Sequence, residues 1–242
     1  WFAHPKEEKA RLLAAVETAR EGKPVAVAEA SENVDQLRGK RLEQLRTIRR
    51  EATSAKLTGA MSQPAYQIAK PRIRLGKKEL IDQPADKLAE WVTEIVQVES
   101  PVYCLEAFGR LLAAAGKRMS SANQEAWAIG IARAEILGTV RNEGTFIFDA
   151  AATEVVVRDR RKLDASDRKF ELVADAELDA AILMAVGQSY GIEAEDISIA
   201  ASRLLGFDRT LEPMRQRVDE RVAVMLADGR LVERDEQIHQ PD

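Results

Sequence analysis

Apolar residues return every three or four positions through much of this chain, the period of a helix with one buried face. Residues 1–22 show it first. Ala10, Leu13, Val16 and Ala19 share one face, Pro5 suits the first turn and Gly22 the end. Residues 25–30 read equally as a short strand or as the first turn of a helix. From Asn33, the positions Val34, Leu37, Leu42, Leu45 and Ile48 predict a helix with a weak point at Gly39. Residues 58–86 lose the period and carry Pro64, Pro71 and Pro84, which predicts a connector anchored by Tyr66, Ile68, Ile73 and Leu75. Arg72 and Arg74 alternate there with Ile73 and Leu75, a pattern open to a short edge strand.

The helical period resumes at Pro84. Leu88, Trp91, Val92, Ile95 and Val96 mark one helix, with Asp86 as its expected N-cap and Ser100-Pro101 as its stop. Leu105, Phe108, Leu111 and Leu112 mark a second, which stops at Gly116. Ser120 or Ser121 caps a third, running to about Leu137 and ended by Gly138. Strands at 139–141 and 145–148, joined at Asn142-Glu143-Gly144, complete a hairpin. Residues 150–174 are polar, with a strand expected at Val155-Val156-Val157 and a basic patch of Arg158, Arg160, Arg161 and Lys162. A second set follows: Leu178, Ile182, Leu183 and Val186 in one helix, 197–205 in another, 212–227 in a third, then a strand at 230–233.

Helix, turn, helix and β-hairpin, in residues 99–149, outline a winged-helix domain. The second set aligns with the first. Gly109-Arg110-Leu111-Leu112 falls on Ser202-Arg203-Leu204-Leu205, and after a two-residue deletion Arg118 falls on Arg209 and Gly138 on Gly229. Trp127, Ile131 and Ala134 fall on Val218, Val222 and Met225, one helix face in each copy. The expected fold is therefore mainly α with small β-hairpins. A helical segment and basic connector (1–83) precede a first winged helix (84–150), a linker (151–175) and a second winged helix (176–242).

Charge changes the picture more than composition does. The chain of 242 residues has a formal net charge of -4. Yet residues 38–80 hold twelve Lys/Arg against three Glu, whereas residues 151–242 hold thirteen Lys/Arg against twenty Asp/Glu. An acidic chain can still offer a basic strip to phosphates. The cations on the 33–50 helix read either as a solvated face or as a phosphate-tracking one. No apolar run is long enough to span a membrane. The lone cysteine, Cys104, excludes an internal disulfide and fits a reducing cytoplasm. The chain begins without Met or a signal-peptide pattern, so it is expected to continue upstream.

In a helix–turn–helix reader the start of the second helix of the pair enters the major groove. That region offers Lys117, Arg118, Ser120, Ser121 and Gln124, and the wing tip offers Arg141 and Asn142. Asn123 aligns with apolar Met214 and is expected to face inward. Arg and Lys suit phosphate or guanine, Gln suits adenine, and Ser a phosphate oxygen. The second copy offers Arg209, Thr210 and Arg215, but beside Asp208 and Glu212, which repel phosphate. The first copy is the expected DNA binder and the second a packing or protein-contact unit. Enzyme chemistry has no support: His4 and His239 lie at opposite ends, and no phosphate-binding glycine loop is present. No catalytic residue, metal, cofactor or small-molecule substrate is expected.

Trp1-Phe2-x-x-Pro5 with KARLLAAVETAR resembles the helix that leaves a very-short-patch-repair-like nuclease domain in large bacterial helicase proteins. VESPVY, Gly116-Lys117-Arg118, Gly144-x-Phe146, LLGFDRT and DGRLV resemble the uncharacterised C-terminal domain of the same proteins. Tyr103 stands where that family carries an acidic or aromatic residue, and its usual His or Glu positions nearby are absent, which marks a divergent member. The resemblance implies an accessory module of a superfamily-one helicase with a nuclease domain, of the kind linked to restriction or anti-phage defence. The expected partners are duplex DNA and the upstream helicase and nuclease domains. The alternative is a protein-interaction module that docks on the helicase or on a partner subunit.

Overall fold

The computed structural model describes residues 63–189 and 191–241, with Lys40 besides; they belong, Lys40 apart, to one compact unit, Leu57–Asp242. The expected helices at 1–22 and 33–50 lie outside the described residues. Within them the protein is mainly helical, with six α-helices and two small antiparallel sheets. The order is α1 (Ala85–Glu99), β1 (Val102–Tyr103), α2 (Cys104–Ala115), α3 (Ser121–Ile136), β2 (Val140–Glu143) and β3 (Phe146–Asp149). A single 3₁₀ turn (Phe170–Leu172) leads to α4 (Asp175–Gly187), α5 (Ala194–Leu204), α6 (Glu212–Ala227), β4 (Val232–Arg234) and β5 (Gln237–His239).

The first half closes around Leu88, Trp91, Val92, Ile95, Phe108, Leu111, Trp127 and Ile131, all buried. α3 crosses α1 closely because Gly130 has no side chain. A Cβ there would stand 3.1 Å from both Leu88 Cβ and Val92 Cγ2. Phe108 stacks on Trp127 at 5.5 Å between ring centres, tying α2 to α3. The turn between α2 and α3 is set by its ends. Gly116 takes the left-handed conformation (φ +64) as the C-cap of α2, and Ser120 Oγ accepts from the Asn123 amide to start α3. Asp86 is no N-cap: Pro84 holds that place, and the Asp86 carboxylate instead receives Arg133 from α3.

Strand β1, unanticipated because two residues carry no period, pairs with β3, so the sheet order is β1-β3-β2. The hairpin turns one residue later than expected, at Gly144-Thr145, with Gly144 at φ +70. The second half repeats the arrangement around a core of its own. The isolated bridge Ile192↔Ile238 stands where β1 pairs β3, and β4–β5 form the hairpin. The strand there starts at Val232, not Arg230, and β5 is additional to the expected elements. Asp235 and Glu236 both take positive φ at its turn, a conformation that no Gly or Asn announces. The aligned positions Trp127, Ile131 and Ala134, and Val218, Val222 and Met225, are all buried.

Between the halves, the expected strand at 155–157 does not form. Val157 is buried, but Val156 is exposed and the backbone bridges only at Asp159, beside Ala65. This segment runs between residues 64–66 and the end of α5, with hydrogen bonds Asp159 N to Pro64 O, Tyr66 N to Asp159 O and Arg160 N to Leu205 O.

Candidate nucleic-acid interface

The first turn of α3 is open to solvent. Ser120 and Ser121 are exposed, and Ser120 already caps the helix. Arg118 is exposed, and its side chain has no partner among the described residues. Its carbonyl accepts from Asn123 Nδ2 at 2.7 Å, which fixes the turn and turns Asn123 inward. Gln124 is exposed and leans on Met119 Sδ. Lys117 is committed: its Nζ lies 2.5 Å from Glu79 Oε2. At the wing, Arg141 pairs with Glu143 and lies over the Phe148 ring, while exposed Asn142 donates its backbone N–H to Glu135.

Beyond that first turn the outward face of α3 changes character. Glu125, Ala128, Ile129, Ala132, Glu135 and Ile136 are exposed, and the helix's one cation, Arg133, is half-buried and paired with Asp86. In the second half, Arg209 is exposed and Thr210 half-buried, while Arg215 lies 3.8 Å from Glu212. The other arginines there are engaged too: Arg217 with Asp175, Arg221 with Asp179, Arg230 with Asp179 and Asp228.

The expected basic patch at 158–162 is divided by the fold. Arg161 and Lys162 are exposed, whereas Arg158 and Arg160 are buried around the Glu177 carboxylate. That carboxylate accepts from Arg158 N, Nε and Nη2 and from Arg160 Nη1 and Nη2, over 2.6–3.2 Å. Arg158 also donates to the carbonyls of Glu99 and Pro101, at 2.6 and 3.0 Å. A cation therefore sits at the C-terminal end of α1 and an anion in the first turn of α4, each favoured by its helix dipole. The Tyr66 ring lies 4.5 Å from the Arg158 guanidinium, and its hydroxyl donates to Glu99 Oε2 at 3.0 Å. Burial holds the Glu99 carboxyl above its ordinary value. Glu177 is held below its own, its burial outweighed by the Arg160 and Arg158 hydrogen bonds and charges. Burial, with the Glu99 charge beside it, also raises the Tyr66 hydroxyl.

The sequence carried a signal for the two acids. Glu99 continues the apolar spacing of Val92, Ile95 and Val96, and Glu177 precedes Ala181 by one turn, so both fall on buried faces. Nothing local marks Arg158 and Arg160 as their partners. The remaining cleft at this junction, lined by Tyr66, Tyr103, Glu106, Arg110, Arg160 and Asp167, has room for about a single water-sized group. Arg110 in its lining lies 2.7 Å from Asp167 and 3.5 Å from Glu99. The cluster ties the linker to the end of α1 and to the first turn of α4.

Among the described residues no group of His, Cys, Asp and Glu is placed to hold a metal ion, and no helix is long and apolar enough to cross a membrane. No curated protein and no solved structure gives a match to this chain. Residues 78–124, from the end of the basic connector through α1 and α2 into the first turn of α3, match the family model described as "Protein of unknown function (DUF3320)".

Proposed function

We propose that this chain is a DNA-binding accessory module made of two winged-helix-type units, the first of which meets the nucleic acid. The observation that carries the reading is the sequence of elements helix–strand–helix–helix–strand–strand with sheet order β1-β3-β2, which leaves the first turn of α3 exposed. That turn offers Arg118, Ser120, Ser121 and Gln124, a set suited to phosphate and base-edge contacts. The second unit, whose arginines are mostly neutralised by carboxylates, acts in packing. The module's place is beside the motor and nuclease domains of a helicase protein, where it would position duplex DNA, with defence against phage as its setting. Fluorescence anisotropy with a labelled duplex tests the reading. Weak binding is expected, steeply lost with salt, and weakened in Arg118→Gln/Arg141→Gln. No binding at low salt, or none of it dependent on those side chains, refutes it.

A second reading has its own observation. Ala128, Ile129, Ala132, Ile136 and Leu137 leave an apolar stripe on α3 beyond its first turn, with Ile136 at 75% exposure. A protein surface, of the upstream helicase domains or of a partner subunit, fits that stripe better than a DNA groove does. Ile129→Asp/Ile136→Asp should abolish co-purification with those domains if this reading holds and leave DNA binding intact.

A further inference from the structure

The connector before α1 presents cations in a regular way. Ala69 and Pro71 are buried, and Ile73 and Leu75 pack partly buried on the first core. With the inward positions thus held at every second residue, Lys70, Arg72 and Arg74 all stand exposed on the other side. In an extended chain such residues follow one another at about 6.5 Å, comparable with the spacing of successive phosphates along one nucleic-acid strand. Lys77 and Lys78 continue the row, after the turn at Gly76 (φ +63).

None of these five side chains has a hydrogen bond or ion pair among the described residues, and residues 63–78 contain no carboxylate. Arg158 and Arg160 share the two-residue spacing but are turned inward onto Glu177. Among the described residues the connector row carries no such counter-charge. It ends at a defined place. Leu80 is fully buried, and the Glu79 carboxylate is engaged by Lys117, next to Arg118 in the turn that begins α3.

We propose that segment 70–78 is a phosphate track: it takes the backbone of one nucleic-acid strand along Lys70, Arg72, Arg74, Lys77 and Lys78 and leads it to the N-terminal turn of α3. Anchored apolar positions on the inner side keep the cations in place before binding, so little chain ordering opposes association. Contacts of this kind fix position and carry no base preference. The inference rests on the nucleic-acid reading above, but on side chains that reading does not use.

The test is salt-dependent anisotropy of the full chain with a labelled mixed-sequence single strand and with the same sequence as a duplex. The variants are Lys70→Gln/Arg72→Gln/Arg74→Gln and Arg118→Gln/Arg141→Gln. Lys70, Arg72 and Arg74 are exposed and have no partner among the described residues, so the triple variant should keep the wild-type melting temperature. The triple variant is expected to flatten the slope of log affinity against log salt by about 2 for the single strand, with weaker binding at low salt. Such a loss supports the track, whether or not the α3 variant also loses affinity. Wild-type behaviour of the triple variant overturns the track; loss in Arg118→Gln/Arg141→Gln alone then leaves the winged-helix reading standing. Absence of binding by the wild type to either strand form overturns both.

Discussion

Glu177 is where removing one charge should cost most. Glu177→Gln keeps the side-chain volume, so no cavity enters the comparison. At present Oε1 accepts three hydrogen bonds and Oε2 two, all from Arg158 and Arg160. An amide can keep one oxygen in place, but its nitrogen then faces guanidinium donors where an acceptor is needed. Both arginines, almost wholly buried, lose their counter-charge. Breaking a buried pair in this way costs about 3–5 kcal/mol, which for a unit of this size lowers the melting temperature by about 6–20 °C. Far-UV circular dichroism with heating or urea measures it.

The pH dependence gives an independent check. The folded Glu177 is held below its ordinary value of 4.5, so its contribution is present above that pH and lost as the pH falls toward the folded value. Glu99, raised by burial, has the opposite sign: its contribution is full below its ordinary value and declines as the pH rises. Glu99 is common to both proteins and cancels between them. The difference between wild type and Glu177→Gln should therefore be largest near neutrality and shrink below about pH 4.5. A cost under about 1 kcal/mol, or one indifferent to pH, refutes the assignment of this carboxylate as the charged centre of the cluster. Replacing all three residues with apolar ones of similar volume should recover much of the loss.

Two other substitutions probe the backbone. Gly206 sits at φ +88 against the linker, where an added Cβ would crowd the Asp159 carboxylate and approach the Arg160 nitrogen to 2.5 Å. Gly206→Ala should destabilise by about 1–3 kcal/mol from conformational strain, with the clash adding to it; an unchanged urea midpoint would contradict the close approach. At the β4–β5 turn, Asp235 and Glu236 hold φ +52 and +62, which asparagine and glycine tolerate better. Asp235→Asn/Glu236→Gly should stabilise by about 0.5–2 kcal/mol, and a lower melting temperature would refute the turn geometry.

Much of the helical framework is legible locally, because a helix declares its buried face every three or four residues. The spacing predicts 212–227, where α6 lies, and places Trp127, Ile131 and Ala134 inward; Gly116 and Ser120 announce the turn before α3. The elements without a period were not legible. β1 is two residues long and exists through its pairing with β3, and the second hairpin turns on Asp and Glu, which signal nothing. Three consecutive valines favour a strand, but among the described residues the backbone of this segment pairs only further on, at Asp159 with residues 64–66, and 155–157 runs as linker. Charge shows the same division. The connector cations face solvent because Ala69, Pro71, Ile73 and Leu75 alternate with them, a relation written in adjacent residues. Arg158 and Arg160 keep the same two-residue spacing, with Asp159 and not an apolar residue between them, yet they are buried. Their orientation depends on Glu177, 19 and 17 residues further on, and on the open carbonyls that end α1. A buried charge is settled by its partner, and only the tertiary structure brings that partner within reach.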